Sequence, residues 1–267
     1  VTALLRTAAV RKAYGGVQAL AGASIEVEEG TIAGLIGPNG SGKTTLFNVI
    51  TGYERADSGQ VFLRDKPITN KGPDKVFAAG IGRTFQLTRI FARLTVLENM
   101  LVATQHRKGS QRRRALELLE FVGIEGHAGL LAGSLSYGQR KLLELAYVLV
   151  ADPAVVLLDE PAGGVNPTLV NHIAARIREL NAAGRTFLIV EHNMEFVMGL
   201  CATVSVLESG ACVASGPPGI IRTDKRVLDA YLGADLDDAD PAADEDAAAG
   251  TVTIDVKEND GDDHPGE

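Results

Sequence analysis

The chain has 267 residues, 45% of them apolar, and is long enough to bury a large core. Its net charge of −8 is concentrated at the end: from Ala234 to Glu267 there are 13 acids and one lysine, so the preceding residues, with 25 bases and 21 acids, are mildly basic. That balance excludes the strongly basic surface of a DNA-binding domain, two cysteines exclude a disulfide framework or a cysteine metal site, and the apolar runs fall well short of the roughly 20 residues that cross a bilayer.

The opening VTALLRTAAV has no charged segment ahead of an apolar run, so no secretory signal is expected and the chain reads as soluble and cytosolic. Alternating apolar positions and turn residues predict strands at 4–10, 23–28, 31–36 and 59–64. The strand at 31–36 runs straight into Gly37, Pro38, Asn39, Gly40, Ser41, Gly42, Lys43 and Thr44, which fit the phosphate-loop pattern G-x-x-x-x-G-K-[ST]. Its glycines let backbone N–H groups turn inward around a chain of phosphates, Lys43 adds a point charge, and the Thr44 hydroxyl is placed to ligate Mg²⁺. A helix over 43–50 aims its positive end at the same anion.

A short helix is expected at 72–80, entered through Pro73. From Val96 to Val150 the pattern is helical: Thr95 and Glu98 form a capping box ahead of Leu97, Leu101 and Val102, and further helices are expected at 115–122 and 139–150. Strand, helix and strand return at 154–158, 169–183 and 186–190, with short strands at 203–208 and 211–214. Cys201 and Cys212 are read as small buried hydrophobes in such strands. The result is an α/β chain with a helical insertion between two halves of one nucleotide-binding core.

Two further segments carry chemistry. Val155, Val156, Leu157 and Leu158 end in Asp159 and Glu160, so a buried strand delivers two carboxylates to the sheet edge where α/β folds bind ligands. Asp159 is a candidate metal ligand and Glu160 a candidate for polarising the attacking water. Leu135-Ser136-Tyr137-Gly138-Gln139 opens a helix, so Ser136, Gly138 and the helix start form a second anion-binding end. A single phosphate loop has no need of a second one; two facing chains, each closing the other's site, would use both.

With these motifs in place, residues 4–233 resemble the ATP-binding subunit of an ABC transporter, most of all the group that powers uptake of branched-chain amino acids. Residues 135–139 match the ABC signature, with Tyr137 where many members have Gly. Gly80-Ile81-Gly82-Arg83-Thr84-Phe85-Gln86, Leu94-Thr95-Val96-Leu97-Glu98-Asn99, Tyr14-Gly15-Gly16-Val17 and the ending Ala230-Tyr231-Leu232-Gly233 are similar to that importer group. The resemblance implies a P-loop NTPase (RecA-like) core with an antiparallel β subdomain and a helical subdomain inserted at about 88–151. It implies that Tyr14 stacks on adenine, that Gln86 reaches Mg²⁺ and the attacking water, that His192 touches the γ-phosphate, and that residues 37–45, through Thr45, bind ATP under Ser136, Gly138 and Gln139 of a second chain. The implied partners are two transmembrane permease subunits, a second and usually related ABC ATPase, and, indirectly, an extracytoplasmic solute-binding protein, with no nucleic acid. The implied place is the cytoplasmic face of the membrane.

Some positions depart from the pattern. Gly163-Gly164-Val165-Asn166 stands where many members have Ser-Ala-Leu-Asp, and the link at 105–114, with its Arg112–Arg114 run, is shorter than in relatives. The acidic stretch 234–267 lacks aromatics and is expected to be disordered. Other readings of the same cassette are an importer for another solute such as urea, a lipid exporter, or a non-transport ABC ATPase.

Overall fold

A computed structural model describes residues 3–85, 90–103 and 111–228. In chain order, the first half holds β1 (Ala3–Tyr14), β2 (Val17–Ala23), β3 (Glu26–Glu28), β4 (Ile32–Ile36), α1 (Lys43–Ile50), β5 (Ser58–Leu63), β6 (Lys66–Pro67), α2 (Pro73–Ala79) and β7 (Ile81–Arg83). It continues with α3 (Val96–Val102), α4 (Gln111–Val122), α5 (Tyr137–Val150), β8 (Val155–Asp159), α6 (Pro167–Ala182), β9 (Thr186–Val190), α7 (Met194–Leu200), β10 (Thr203–Glu208), β11 (Ala211–Gly216) and α8 (Pro218–Ile221). Gln86, the ending 230–233, the acidic stretch 234–267 and most of the link at 105–114 lie outside the described residues.

Two sheets form. One has six strands in the order β11-β10-β4-β9-β8-β7, parallel except for β11. The other is antiparallel, with β1 paired to β2, β3 and β5. The strands β4, β8 and β9 are buried at every position, as expected of parallel strands covered on both faces. Period-two alternation then sorts their side chains. Ile32, Ile36, Val156, Leu158, Phe187 and Ile189 face a core shared with the helices, whereas Ala33, Leu35, Val155, Leu157, Leu188 and Val190 face α1 and the antiparallel sheet. Each fully buried aliphatic or aromatic side chain in these layers contributes about 1.5–3 kcal/mol.

The helical part starts with the capping box foreseen at Thr95: its hydroxyl accepts from Glu98 N–H at 3.1 Å, and the Glu98 carboxylate accepts from Thr95 N–H at 2.7 Å. Val96 and Met100 of α3, Ala115, Leu118, Leu119 and Val122 of α4 and Leu143, Ala146 and Val150 of α5 pack into one cluster with the parallel sheet.

The sequence-based elements need three corrections. The strand expected at 4–10 runs on to Tyr14, because it pairs with β2 across Gly15-Gly16, and that hairpin splits the strand expected at 23–28. β6, β7, α7 and α8 were not anticipated. Cys201 lies just after α7, not in a strand; it is buried beside Gly34, and burial pushes its thiol up to about 12.

Candidate functional site

Parallel order brings the chemistry to one rim. β4, β9, β8 and β7 are neighbours, so their C-terminal ends place Gly37, Glu191-His192, Asp159-Glu160 and Arg83-Thr84 side by side. The ladders hold this alignment: Leu35 and Asp159 both pair with Val190, and Arg83 pairs with Leu157.

The loop after β4 depends on glycine at two points. At Gly42 (φ +101°) an added Cβ would stand 2.4 Å from Ala19 O, and at Gly37 2.1 Å from Leu207 O. Gly42 leads directly into α1, so Lys43 and Thr44 sit in its first turn. Lys43 is 6% exposed, and its ammonium folds back to donate to Gly37 O (2.7 Å) and Pro38 O (2.8 Å). Burial lowers its pKa, while the charges of Glu160 and Asp159 act in the opposite direction. Thr44 is exposed. Residues 39–45, with Ala19, Glu160 and His192, line a cleft of about 320 Å³.

Across the cleft, Glu160 Oε1 lies 2.9 Å from His192 Nε2. Glu160 holds a left-handed backbone (φ 49°), pinned by its N–H to Val190 O (2.9 Å) and by Lys141 Nζ on its carbonyl (2.5 Å). A non-glycine residue there is strained by about 1–3 kcal/mol, which these two bonds help to offset. Asp159 is 5% exposed; its N–H donates to Thr84 Oγ1 (3.1 Å) and its Oδ2 accepts from Arg83 Nη2 (2.8 Å). Hard oxygen donors such as the Thr44 hydroxyl and the Asp159 carboxylate suit Mg²⁺, which keeps several waters and takes few protein ligands. Among the described residues no three His, Cys, Asp or Glu side chains are grouped closely enough to hold a metal ion by themselves.

Glu191 was not singled out in the sequence, yet it ties two loops together. Its carboxylate is 2% exposed and accepts from the N–H groups of Ala162, His192 (3.1 Å) and Asn193 (3.3 Å). Burial pushes its pKa up, and these three bonds oppose that shift only in part. An acid directly after a buried strand and before His192 was the available signal.

The segment 135–139 is built differently from what a bare anion site would need. Ser136 caps α5: its hydroxyl accepts from Gln139 N–H (3.3 Å), and Gln139 Oε1 accepts from Ser136 N–H (2.9 Å). The other end of the Gln139 amide meets His127 Nε2 at 2.9 Å, so this side chain is committed within its own chain. As an acceptor in the cap, Ser136 Oγ keeps its own hydrogen free to donate. Tyr137 explains the neighbouring departure: its hydroxyl donates to Gly163 O at 3.4 Å, and a Cβ on Gly164 would meet its ring at 3.2 Å. Glycine at 164 thus makes room for the tyrosine, whereas a side chain at 163 would meet Glu160 instead.

Of the residues singled out in the sequence, the structure brings residues 39–45, Glu160 and His192 to one cleft; Gly37 and Pro38 accept from the Lys43 ammonium, and Asp159 lines a separate small cavity with Thr84, Lys141 and Glu144. Ser136, Gly138 and Gln139 do not line that cleft, and Ser136 is exposed. Tyr14 stands at the tip of the β1–β2 hairpin, 45% exposed and not among the residues that line the cleft, with Lys12 Nζ 5.1 Å from its ring centre. Gln86 is outside the described residues. No described helix is long and apolar enough to cross a membrane.

The family described as ABC transporter matches residues 20–163. The probable branched-chain amino acid transport ATP-binding protein LivG of Archaeoglobus fulgidus is 38% identical over 246 residues, covering 86% of this chain and 96% of that protein. Among solved structures, the ADP conformation of MJ1267, an ATP-binding cassette of an ABC transporter, agrees with a TM-score of 0.80 at 36% identity, covering 87% of this chain and 100% of that one. A dimeric post-hydrolysis state of the cassette MJ0796, bound to ADP and Pi, agrees with a TM-score of 0.73 at 26% identity, covering 80% and 98% of the two chains. With its phosphate loop, its paired rim acids and these likenesses, the chain belongs to the ABC transporter family as one of its ATPase cassettes.

Proposed function

We propose that this ATPase powers the import of branched-chain amino acids, working as one half of a nucleotide-sandwich dimer under two transmembrane permease subunits, peripheral to the cytoplasmic face of the membrane. The solute assignment follows the name of its LivG relative. The proposed cassette spans residues 1–233, with a helical subdomain at about 88–151 and an acidic tail at 234–267. An extracytoplasmic solute-binding protein would deliver the solute to the permease.

One observation carries the dimer: the cleft holds the phosphate loop, Glu160 and His192, yet Ser136 and the start of α5 lie outside it and face solvent. Such a half-site is completed by a second cassette. In the closed pair, the backbone N–H groups of residues 37–42 cradle the phosphates of ATP, and Lys43 leaves the loop carbonyls for the β- and γ-phosphates. Ser136 donates to the γ-phosphate from the opposite side, with Gly138 giving close backbone approach and Gln139 keeping the cap rigid. Tyr14 stacks on the adenine. Thr44, Asp159 and Gln86 would hold Mg²⁺, which supplies positive charge to the phosphate oxygens. Glu160 takes the proton of the attacking water, and His192, 2.9 Å away, holds that carboxylate in place and contacts the γ-phosphate. Glu191 fixes His192 and the loop at Ala162 to each other, so the histidine and the residues after Glu160 move together.

Radiolabelled leucine and urea uptake would be compared in cells lacking this chain, complemented by wild type or by Lys43→Ala. Loss of leucine uptake alone, restored only by wild type, is the expected result. Loss of urea uptake instead, or no loss, overturns the solute assignment.

A further inference from the structure

The tripeptide Arg83-Thr84-Phe85 ends β7, and every one of its residues is wired into the nucleotide site or its surroundings. The Phe85 N–H donates to Glu144 Oε1 of α5 (2.9 Å). Thr84 Oγ1 accepts from the Asp159 N–H. Arg83 is the centre of the arrangement. Its Nη2 donates to Asp159 Oδ2 (2.8 Å), its Nη1 to Asn48 Oδ1 (2.7 Å) and Thr51 Oγ1 (3.1 Å), and its Nε to Thr84 O (3.3 Å). The guanidinium carbon lies 4.9–5.9 Å from the ring centres of Phe47, Tyr53 and Phe85. Both partners of the ion pair expose only 6% of their side chains.

We propose that Arg83 is a tethered counter-cation for Asp159: it neutralises this carboxylate while the site is empty, and by competing for it sets how much divalent cation the nucleotide site needs. The inference rests on the assignment of the nucleotide site made above.

The physical argument has three steps. A buried carboxylate without a partner is strongly disfavoured, because desolvation is uncompensated. Asp159 would meet that condition each time nucleotide and metal leave, and Arg83 covers it. Next, the tether sits on the nucleotide loop's own helix: Asn48 belongs to α1, whose first turn carries Lys43 and Thr44, and Thr51 caps its C-terminal end. Arg83 therefore connects the last turn of that helix to the rim acid, and the planar fork with five donors allows it to serve both at once; a lysine cannot. Finally, the guanidinium puts a positive charge 2.8 Å from the Asp159 carboxylate, so it repels any cation approaching that carboxylate. Arg83 is a positioning residue, since it acts on Asp159 and touches no reacting atom.

The test reads metal binding directly. Mn²⁺ uptake by the full chain in the presence of ATP is followed by electron paramagnetic resonance for wild type, Arg83→Gln and Arg83→Lys. Removing the positive charge in Arg83→Gln is expected to tighten Mn²⁺ binding about tenfold, while Arg83→Lys, which keeps a charge but cannot hold Asp159 and α1 at once, is expected to fall between Arg83→Gln and wild type. Unchanged or weaker binding in Arg83→Gln overturns the proposal. No Mn²⁺ uptake by wild type overturns the nucleotide-site assignment and the proposal with it, whereas uptake without tightening in the variant overturns the proposal alone. If Arg83→Gln does not fold, the wild-type chain decides. The ¹⁵N signals of the Arg83 guanidinium, recorded with a non-hydrolysable ATP analogue in chelator, should shift when Mg²⁺ is added. Signals indifferent to Mg²⁺ would show that the arginine does not compete for Asp159.

Discussion

Glu160→Gln separates the proposed proton acceptor from its geometry. In the structure Glu160 Oε1 and His192 Nε2 are 2.9 Å apart, and the oxygen of a glutamine amide can accept the same N–H, so the site's shape is kept. What disappears is the negative charge and the ability to take a proton. Loss of a positioned general base slows a reaction by about 10²–10⁴-fold, equal to about 3–5.5 kcal/mol of transition-state stabilisation. Nucleotide binding should respond in the opposite sense. The Glu160 charge acts on Lys43, which is the group meant for the phosphates. Removing it frees the ammonium and relieves repulsion of the triphosphate, which after solvent screening favours ATP by about 1 kcal/mol. The variant should bind ATP at least as tightly as wild type, release phosphate at no more than about 1% of its rate, and accumulate as a dimer on a sizing column run with ATP. Wild-type turnover would remove Glu160 from the role. Weaker ATP binding would show that the residue anchors the site instead of activating water.

Gly42→Ala forces a side chain onto a left-handed residue and within 2.4 Å of Ala19 O, so it should cost about 2–4 kcal/mol, read as a lower denaturation midpoint together with lost ATP binding. Glu191→Gln replaces a double acceptor with a group that has one acceptor and turns an NH₂ on a backbone donor, costing about 1–3 kcal/mol. Because burial holds the Glu191 carboxyl above its ordinary range, folding favours its protonated form. Its contribution to stability is therefore greatest at acid pH and falls as pH rises through the folded pKa, and the variant should lose that part of the stability–pH slope. Cys201, pushed up to about 12, should resist iodoacetamide at pH 8 in the native chain and react only on unfolding. For the same reason native stability should decline above about pH 9, where only the unfolded thiol ionises.

Local signals made much of the rim legible. The phosphate loop, the run of apolar residues ending in Asp159-Glu160, and the capping residues at Thr95 and Ser136 all act within a few positions of themselves, and the elements they start were placed to within about two residues. The misses are non-local or short. β7 is Ile81-Gly82-Arg83, with one aliphatic side chain, and exists because it pairs with β8. β1 continues through Arg11 and Lys12 because β2 folds against it, although Gly15-Gly16 did announce a turn. α7 had its signal in the Asn193 cap and the spacing of Phe196, Val197 and Leu200. Arg83 was visible as part of a motif, but its ion pair with Asp159, 76 positions later, follows from the register of β7 on β8, which no local pattern encodes. The match between Tyr137 and Gly164 is of the same kind: two departures from a family pattern that the packed structure shows to be one.

The central claim is that each cleft is closed by Ser136 of the other cassette, and mixed dimers test it most directly. With Glu160→Gln in every chain to prevent turnover, a Lys43→Ala chain is paired with a Ser136→Ala chain, and retained ATP is counted after rapid gel filtration. Closure across the pair leaves one site with both its lysine and its serine, so about one ATP per mixed dimer should be held, against none for either variant alone. Mixed dimers that retain no ATP, while a chain carrying both substitutions still leaves its unsubstituted partner able to hold one, would mean that each chain closes its own cleft, and the account would be wrong.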